Sequence, residues 1–156
     1  MSKLKMRMWV LASTLSFAAL SAHAELVVIV NPKNASALNY LGYMLADRNV
    51  RLQEAHDFIR RALDEDPNNG AYLDSLGWAH FKKGELNEAM KYLSAAAAKL
   101  PSNSEVQDHL GDVHARRGSL QEAIAAWTKA LAGDGQGIEK AAVERKLEEA
   151  KRKLPR

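Results

Sequence analysis

The 156-residue sequence contains no cysteine. Disulfides, thiolate zinc sites, cysteine nucleophiles and the acylated cysteine of a bacterial lipoprotein are therefore outside its chemistry. G-x-S-x-G, a glycine-rich phosphate loop and H-E-x-x-H are also missing. Ser75 and Ser94 have no base at a meaningful spacing, so no enzyme is expected and no cofactor is called for. Proline is scarce, with four residues in all, and their placement carries information below. What remains is 47% hydrophobic and 26% charged, the balance of a globular domain.

Residues 1–24 read as a secretory signal peptide. Lys3, Lys5 and Arg7 form a charged start, Met8 to Leu20 an apolar run, and Ala22 and Ala24 an A-x-A cleavage pattern. The run is short for a bilayer span of about 20 residues. The expected product is periplasmic or secreted, with no stable membrane insertion after cleavage. Cleavage also changes the charge. The chain holds 22 Lys+Arg against 19 Asp+Glu, and removing those three basic residues leaves 19 against 19. The basic excess belongs to the removed segment, so nucleic acid is not an expected partner. Residues 25–34 follow as a linker; ELVVIV resembles a buried strand, with no sheet in prospect to receive it.

The rest of the chain repeats. Leu-Gly occurs at 41–42, 76–77 and 110–111, Glu-Ala at 54–55, 88–89 and 122–123, and alanine at 62, 96 and 130. Pro32, Pro67 and Pro101 keep step, each two residues before Asn34, Asn69 and Asn103. The period is 34, with one extra residue in the first copy. Each unit reads as two helices. The asparagines suit N-caps, because their side chains accept the free amide hydrogens of a first turn. Gly84 and Gly118 suit the end of the first helix, and Asn49 takes that place in the first copy. The second helices are expected over 51–65, 86–99 and 120–132. Proline keeps neighbouring units from fusing into one helix.

Gly42, Gly77 and Gly111 lie inside the first helices, where each costs roughly 1 kcal/mol relative to alanine. They are expected to face the small Ala55, Ala89 and Ala123, letting two backbones approach. The expected core is Leu38, Leu41, Leu45, Ile59 and Leu63, then Leu73, Leu76, Leu86 and Leu93, then Leu110, Leu120, Ile124 and Trp127. No unit buries its apolar faces alone, whereas stacked units do.

This pattern, Leu-Gly, Glu-Ala, Ala and Pro at a 34-residue period, resembles the tetratricopeptide repeat. LNYLGYMLADR, GAYLDSLGWAHFKKG and HLGDVHARRG further resemble the last repeats of long bacterial cell-envelope members, some of which are adaptors. The resemblance implies an all-α, right-handed solenoid of three helix-turn-helix units (35–69, 70–103 and 104–137). Residues 138–154 form one more helix, with a Val143, Leu147, Ala150 and Leu154 stripe and charged remaining faces, suited to capping.

The resemblance also implies a concave groove lined by first helices that holds a peptide or helix of a partner protein. The matching positions are Asn39, Tyr43 and Asp47 in the first unit, Asp74, Trp78, Phe81 and Lys82 in the second, and Asp108, Asp112, Ala115 and Arg116 in the third. Trp78 and Phe81 are i, i+3 neighbours and are expected to form an apolar platform. Asp74, Asp108 and Asp112 would ring it with negative charge, favouring a partner of apolar and basic character. Some members of the family grip a C-terminal carboxylate here. Asp74 and Asp108 would repel one, so that clamp is not expected. His80 and His114 occupy equivalent positions between paired helices. His109 and His114, five apart, do not share a helix face, and no metal site is expected. The alternative is a structural element that stacks or self-associates, as a piece of a longer solenoid.

Overall fold

The computed structural model describes residues 31–154. The proposed signal segment and ELVVIV lie outside the described residues. Among those described there are seven α-helices and no strand. They are α1 (Ala35–Asp47), α2 (Leu52–Glu65), α3 (Gly70–Lys82), α4 (Leu86–Lys99), α5 (Ser104–Arg116), α6 (Leu120–Ala132) and α7 (Lys140–Lys153). Residues 31–34 form a turn, with the Asn34 amide donating to the carbonyl of Asn31.

Local sequence sets each boundary. The side chains of Asn34, Asn69 and Asn103 accept from the amides of Ala37, of Ala71 and Tyr72, and of Val106. These are among the donors that a helix start leaves without partners. Gly84 and Gly118 adopt φ of 80° and 82° just past the ends of α3 and α5. Asn49 stands in the corresponding turn at φ 57°. Arg51 also takes a left-handed conformation, at φ 49°, which its sequence does not announce.

Each hairpin closes over a helix-interior glycine, and here the expected partner is corrected. A Cβ on Gly77 would lie 2.6 Å from Leu93 Cγ and 3.0 Å from the Leu93 amide nitrogen. On Gly111 it would meet the Trp127 indole at 2.5 Å. On Gly42 it would meet Ile59 Cγ1 at 2.5 Å and the carbonyl of Ala55 at 2.7 Å. The glycines therefore make room chiefly for the large residue one turn beyond each alanine. Ala55, Ala89 and Ala123 are themselves fully buried.

Leu38, Leu41, Ile59, Leu76, Leu93 and Trp127 form the buried core together with small alanines. Leu45, Leu63, Leu73, Leu86, Leu110, Leu120 and Ile124 are half-buried around it. The first helices α1, α3 and α5 pack side by side as one layer, and each second helix packs on its own first helix. The last helix, α7, packs on α6 through Val143, Leu147 and Ala150. The loop before α7 returns to the third unit. Asp134 accepts from the Ser104 amide at 3.1 Å and from the Asn103 side chain at 3.2 Å. Ser104, fully buried, donates to the carbonyl of Ala130 at 2.7 Å and accepts from the Gly135 amide.

Candidate functional site

The layer of first helices curves. Tyr43, on α1, donates its hydroxyl hydrogen to Oε1 of Glu105, on α5, although α3 lies between them. The rings of Tyr43 and His109 are also 6.2 Å apart. Helices two positions apart in a stack touch only on the inside of a bend, so the face carrying these residues is the concave one.

At its centre Trp78 stacks between Phe81, at 4.9 Å, and His109, at 3.9 Å. The Trp78 Nε1–H donates to Asp47 at 3.3 Å. Lys82 Nζ lies 4.7 Å above the Trp78 ring, and Arg116 covers Phe81 at 5.6 Å. Trp78 and Phe81 do pair, but Trp78 is only 7% exposed. Instead of an open platform they form a covered stack joining the second and third units.

The acidic ring is also changed by its surroundings. Asp74, 4% exposed, accepts from His109 Nδ1 at 3.1 Å through either oxygen. Burial disfavours the imidazolium, yet the charge of Asp74 and its hydrogen bond outweigh this and raise the His109 pKa. Asp108 and Asp112 share the ammonium of Lys146, at 2.8 and 2.7 Å. Burial opposes that ammonium as well, but the Asp112 charge and the hydrogen bonds to both aspartates hold its pKa above the usual lysine value. Burial lifts the Asp112 carboxyl nevertheless, with Lys146 opposing. Asp112 also accepts from Trp127 Nε1–H at 3.2 Å. The three aspartates expected to face a ligand thus have partners within the chain. The sequence hides the one from Lys146 because it comes from α7, beyond the repeats.

The open part of the concave face lies nearer the helix N-termini. A cavity of about 330 Å³ is lined by Asn39, Tyr40, Tyr43, Tyr72, Asp74 and Glu105, among others. Of the expected site residues it gathers Asn39, Tyr43 and Asp74. Trp78, Phe81, Lys82, Asp108, Asp112 and Arg116 do not line it. Sequence reasoning missed Tyr40, Tyr72 and Glu105. For Glu105 a signal existed: it shares its repeat position with Ser36 and Ala71 on the same layer. Burial raises the Glu105 carboxyl, the Tyr43 hydrogen bond opposing. Burial and Glu105 together push the Tyr43 phenol well above its ordinary value. Asn39 Oδ1 is buried without a hydrogen-bond partner.

Elsewhere, His80 Nδ1 lies 2.6 Å from Glu85 Oε2, and its ring stacks on Tyr92 at 5.4 Å. Among the described residues no three His, Cys, Asp or Glu side chains gather closely enough to hold a metal ion. Among them too, no helix is long and apolar enough to cross a membrane.

The tetratricopeptide repeat family model matches residues 17–70 and 75–138. The chain belongs to the tetratricopeptide repeat family. A TPR repeat-containing protein of Pseudomonas aeruginosa is 47% identical over 60 residues, which cover 38% of this chain and 10% of that protein. This tetratricopeptide chain therefore matches about a tenth of the length of that curated relative. Among solved structures, the Sgt2 TPR domain from Aspergillus fumigatus superposes with a TM-score of 0.68 at 26% identity, covering 76% of this chain and 78% of that one. A thermophilic TPR protein from Thermus thermophilus gives 0.70 at 19% identity, covering 91% and 78%. The first TPR of Spaghetti (RPAP3), solved with the HSP90 peptide SRMEEVD, gives 0.66 at 19% identity, covering 76% and 93%. The solenoid architecture is common to all of them. Tetratricopeptide repeats generally serve as non-catalytic modules for protein–protein interaction.

Proposed function

We propose that this tetratricopeptide chain is a non-catalytic adaptor of a bacterial envelope, which holds an extended or helical segment of a partner protein in its concave groove. The observation that carries the reading is the open cavity where α1, α3 and α5 converge. Three units contribute to it, so a segment lying across them touches the whole array at once. Export rests on the charged start, apolar run and A-x-A of residues 1–24. The relative solved with a bound peptide supports a peptide-sized ligand.

The test is a photoreactive phenylalanine analogue at Tyr72, at the cavity, in the exported protein. The same group at Gln121, exposed on α6, is the control. The reading expects the protein in the envelope fraction and a discrete crosslinked partner from position 72 only. Equal products from both positions, or retention in the cytoplasm, would overturn it.

A further inference from the structure

One carboxylate on the concave face, Glu105, has no cation within ion-pair distance among the described residues. Asp74 has His109, and Asp108 and Asp112 have Lys146. Glu105 lines the cavity; its Oε1 accepts from the Tyr43 hydroxyl, a neutral donor, and its Oε2 lies close to the backbone of Gly137, where an added Cβ would meet it at 2.6 Å. No lysine or arginine among the described residues comes within ion-pair distance of it. Burial disfavours the ionised form of the Glu105 carboxylate and outweighs the charge of His109, which favours it but sits on an imidazole already hydrogen-bonded to Asp74. Whatever brings positive charge and hydrogen-bond donors to Glu105 gains what the protein itself leaves unsatisfied.

The surroundings narrow that partner. Asn39 Oδ1, buried and unpaired at the same cavity, adds a second lack of donors. Two phenol rings, Tyr40 and Tyr72, form walls. A guanidinium group is flat, stacks on aromatic faces and offers paired N–H groups in the geometry of a carboxylate, whereas an ammonium is a compact point charge. A metal ion fits less well, since no three acidic or imidazole ligands converge among the described residues. The cavity, about 330 Å³, has room for one long side chain.

We infer that the cavity between α1, α3 and α5 receives an arginine side chain of the bound segment, its guanidinium paired with Glu105 between the rings of Tyr40 and Tyr72. This rests on the groove-binding function proposed above and names the residue that anchors the ligand. It places the basic character of the partner at Glu105 instead of at the aspartates.

The experiment titrates the isotope-labelled full chain with N-acetylarginine amide and with its uncharged isostere N-acetylcitrulline amide, observed by NMR. The expected result is saturable shifts at Asn39, Tyr40 and Tyr72, with citrulline weaker by about tenfold, as for losing a charge-assisted hydrogen bond. Glu105→Gln keeps an acceptor for Tyr43, so the fold is retained while the preference for arginine disappears. Asp108→Asn, outside the cavity, keeps the preference. Equal binding of the two probes, or an unchanged preference in Glu105→Gln, would overturn the inference. If the Tyr72 crosslink still captures a partner in that case, the groove reading stands and only the anchor falls; loss of both removes the groove.

Discussion

Gly77→Ala isolates the close approach on which the stack depends. Two opposing effects can be sized. Alanine raises helix propensity at an interior site by about 1 kcal/mol. Its Cβ, however, would sit 2.6 Å from Leu93 Cγ and 3.0 Å from the Leu93 amide nitrogen. Comfortable carbon–carbon contact is about 3.5–4.0 Å, so α3 and α4 must separate by roughly 1 Å or Leu93 must leave its rotamer. Leu93 is fully buried, and its amide nitrogen belongs to the helix backbone, so neither moves freely. Overpacking of this kind costs about 1–3 kcal/mol. The net expectation is a loss of up to about 2 kcal/mol, which lowers Tm by several degrees at about 4 °C per kcal/mol for a domain of this size. The assay is thermal melting followed by far-UV circular dichroism, with Leu93→Ala and the double variant alongside. Leu93→Ala alone should cost about 2–5 kcal/mol. The double variant should cost less than the sum, by about 0.5–3 kcal/mol, because one change removes the atoms the other strikes. A higher Tm for Gly77→Ala, or simple additivity, would refute the packing argument.

Lys146→Met removes the ammonium shared by Asp108 and Asp112. We expect a loss of about 1–3 kcal/mol in urea unfolding, with partial recovery when Asp108→Asn is added. Trp78→Ala should cost about 3–5 kcal/mol, since it empties the stack between Phe81 and His109. A loss of partner binding in that variant would then track lost fold, and a melting curve taken in parallel checks this. The buried Asp74–His109 pair predicts a pH dependence. The folded His109 pKa lies above its unfolded value of 6.5, so the pair's contribution is complete below pH 6.5 and is lost as pH rises through the folded value. Wild-type Tm should therefore decline over that interval, and His109→Gln should show a flatter profile; an unchanged slope would count against the pair.

The elements of this fold are legible in the sequence because their causes are local. An asparagine two residues after a proline can be read as a cap, since its hydrogen bond reaches only two or three residues ahead. Gly84 and Gly118 can be read as turn residues because the left-handed conformation belongs to one residue at a time. The glycine contact is half legible. The repeat shows that a second helix must come close, but which of its residues fills the space depends on how the two helices are rotated about their axes. That rotation places Ile59, Leu93 and Trp127 over the glycines, with the alanines one turn away.

The site is less legible because its charges are decided between elements. Asp74 and Asp108 recur at the repeat period, Asp108 and Asp112 at helical spacing, and the three look like one acidic surface. Each nevertheless meets its counter-charge from another helix, His109 from α5 and Lys146 from α7, and neither of those residues lies at a position the repeat pattern flags. Glu105 shows the reverse. Its hydrogen-bond partner in the fold lies 62 residues away, across an intervening helix. Only the bend of the first-helix layer brings Tyr43 to it, and that bend is a property of three stacked units, not of one. Net charge over the groove residues is therefore a poor guide to what the groove attracts. The relevant quantity is the charge left after internal pairing. By that measure two negative charges remain, one shared by Asp108 and Asp112 around their single ammonium and one on Glu105. Of these only Glu105 lines the open cavity, so the proposed affinity for basic segments moves there from the covered aromatic stack.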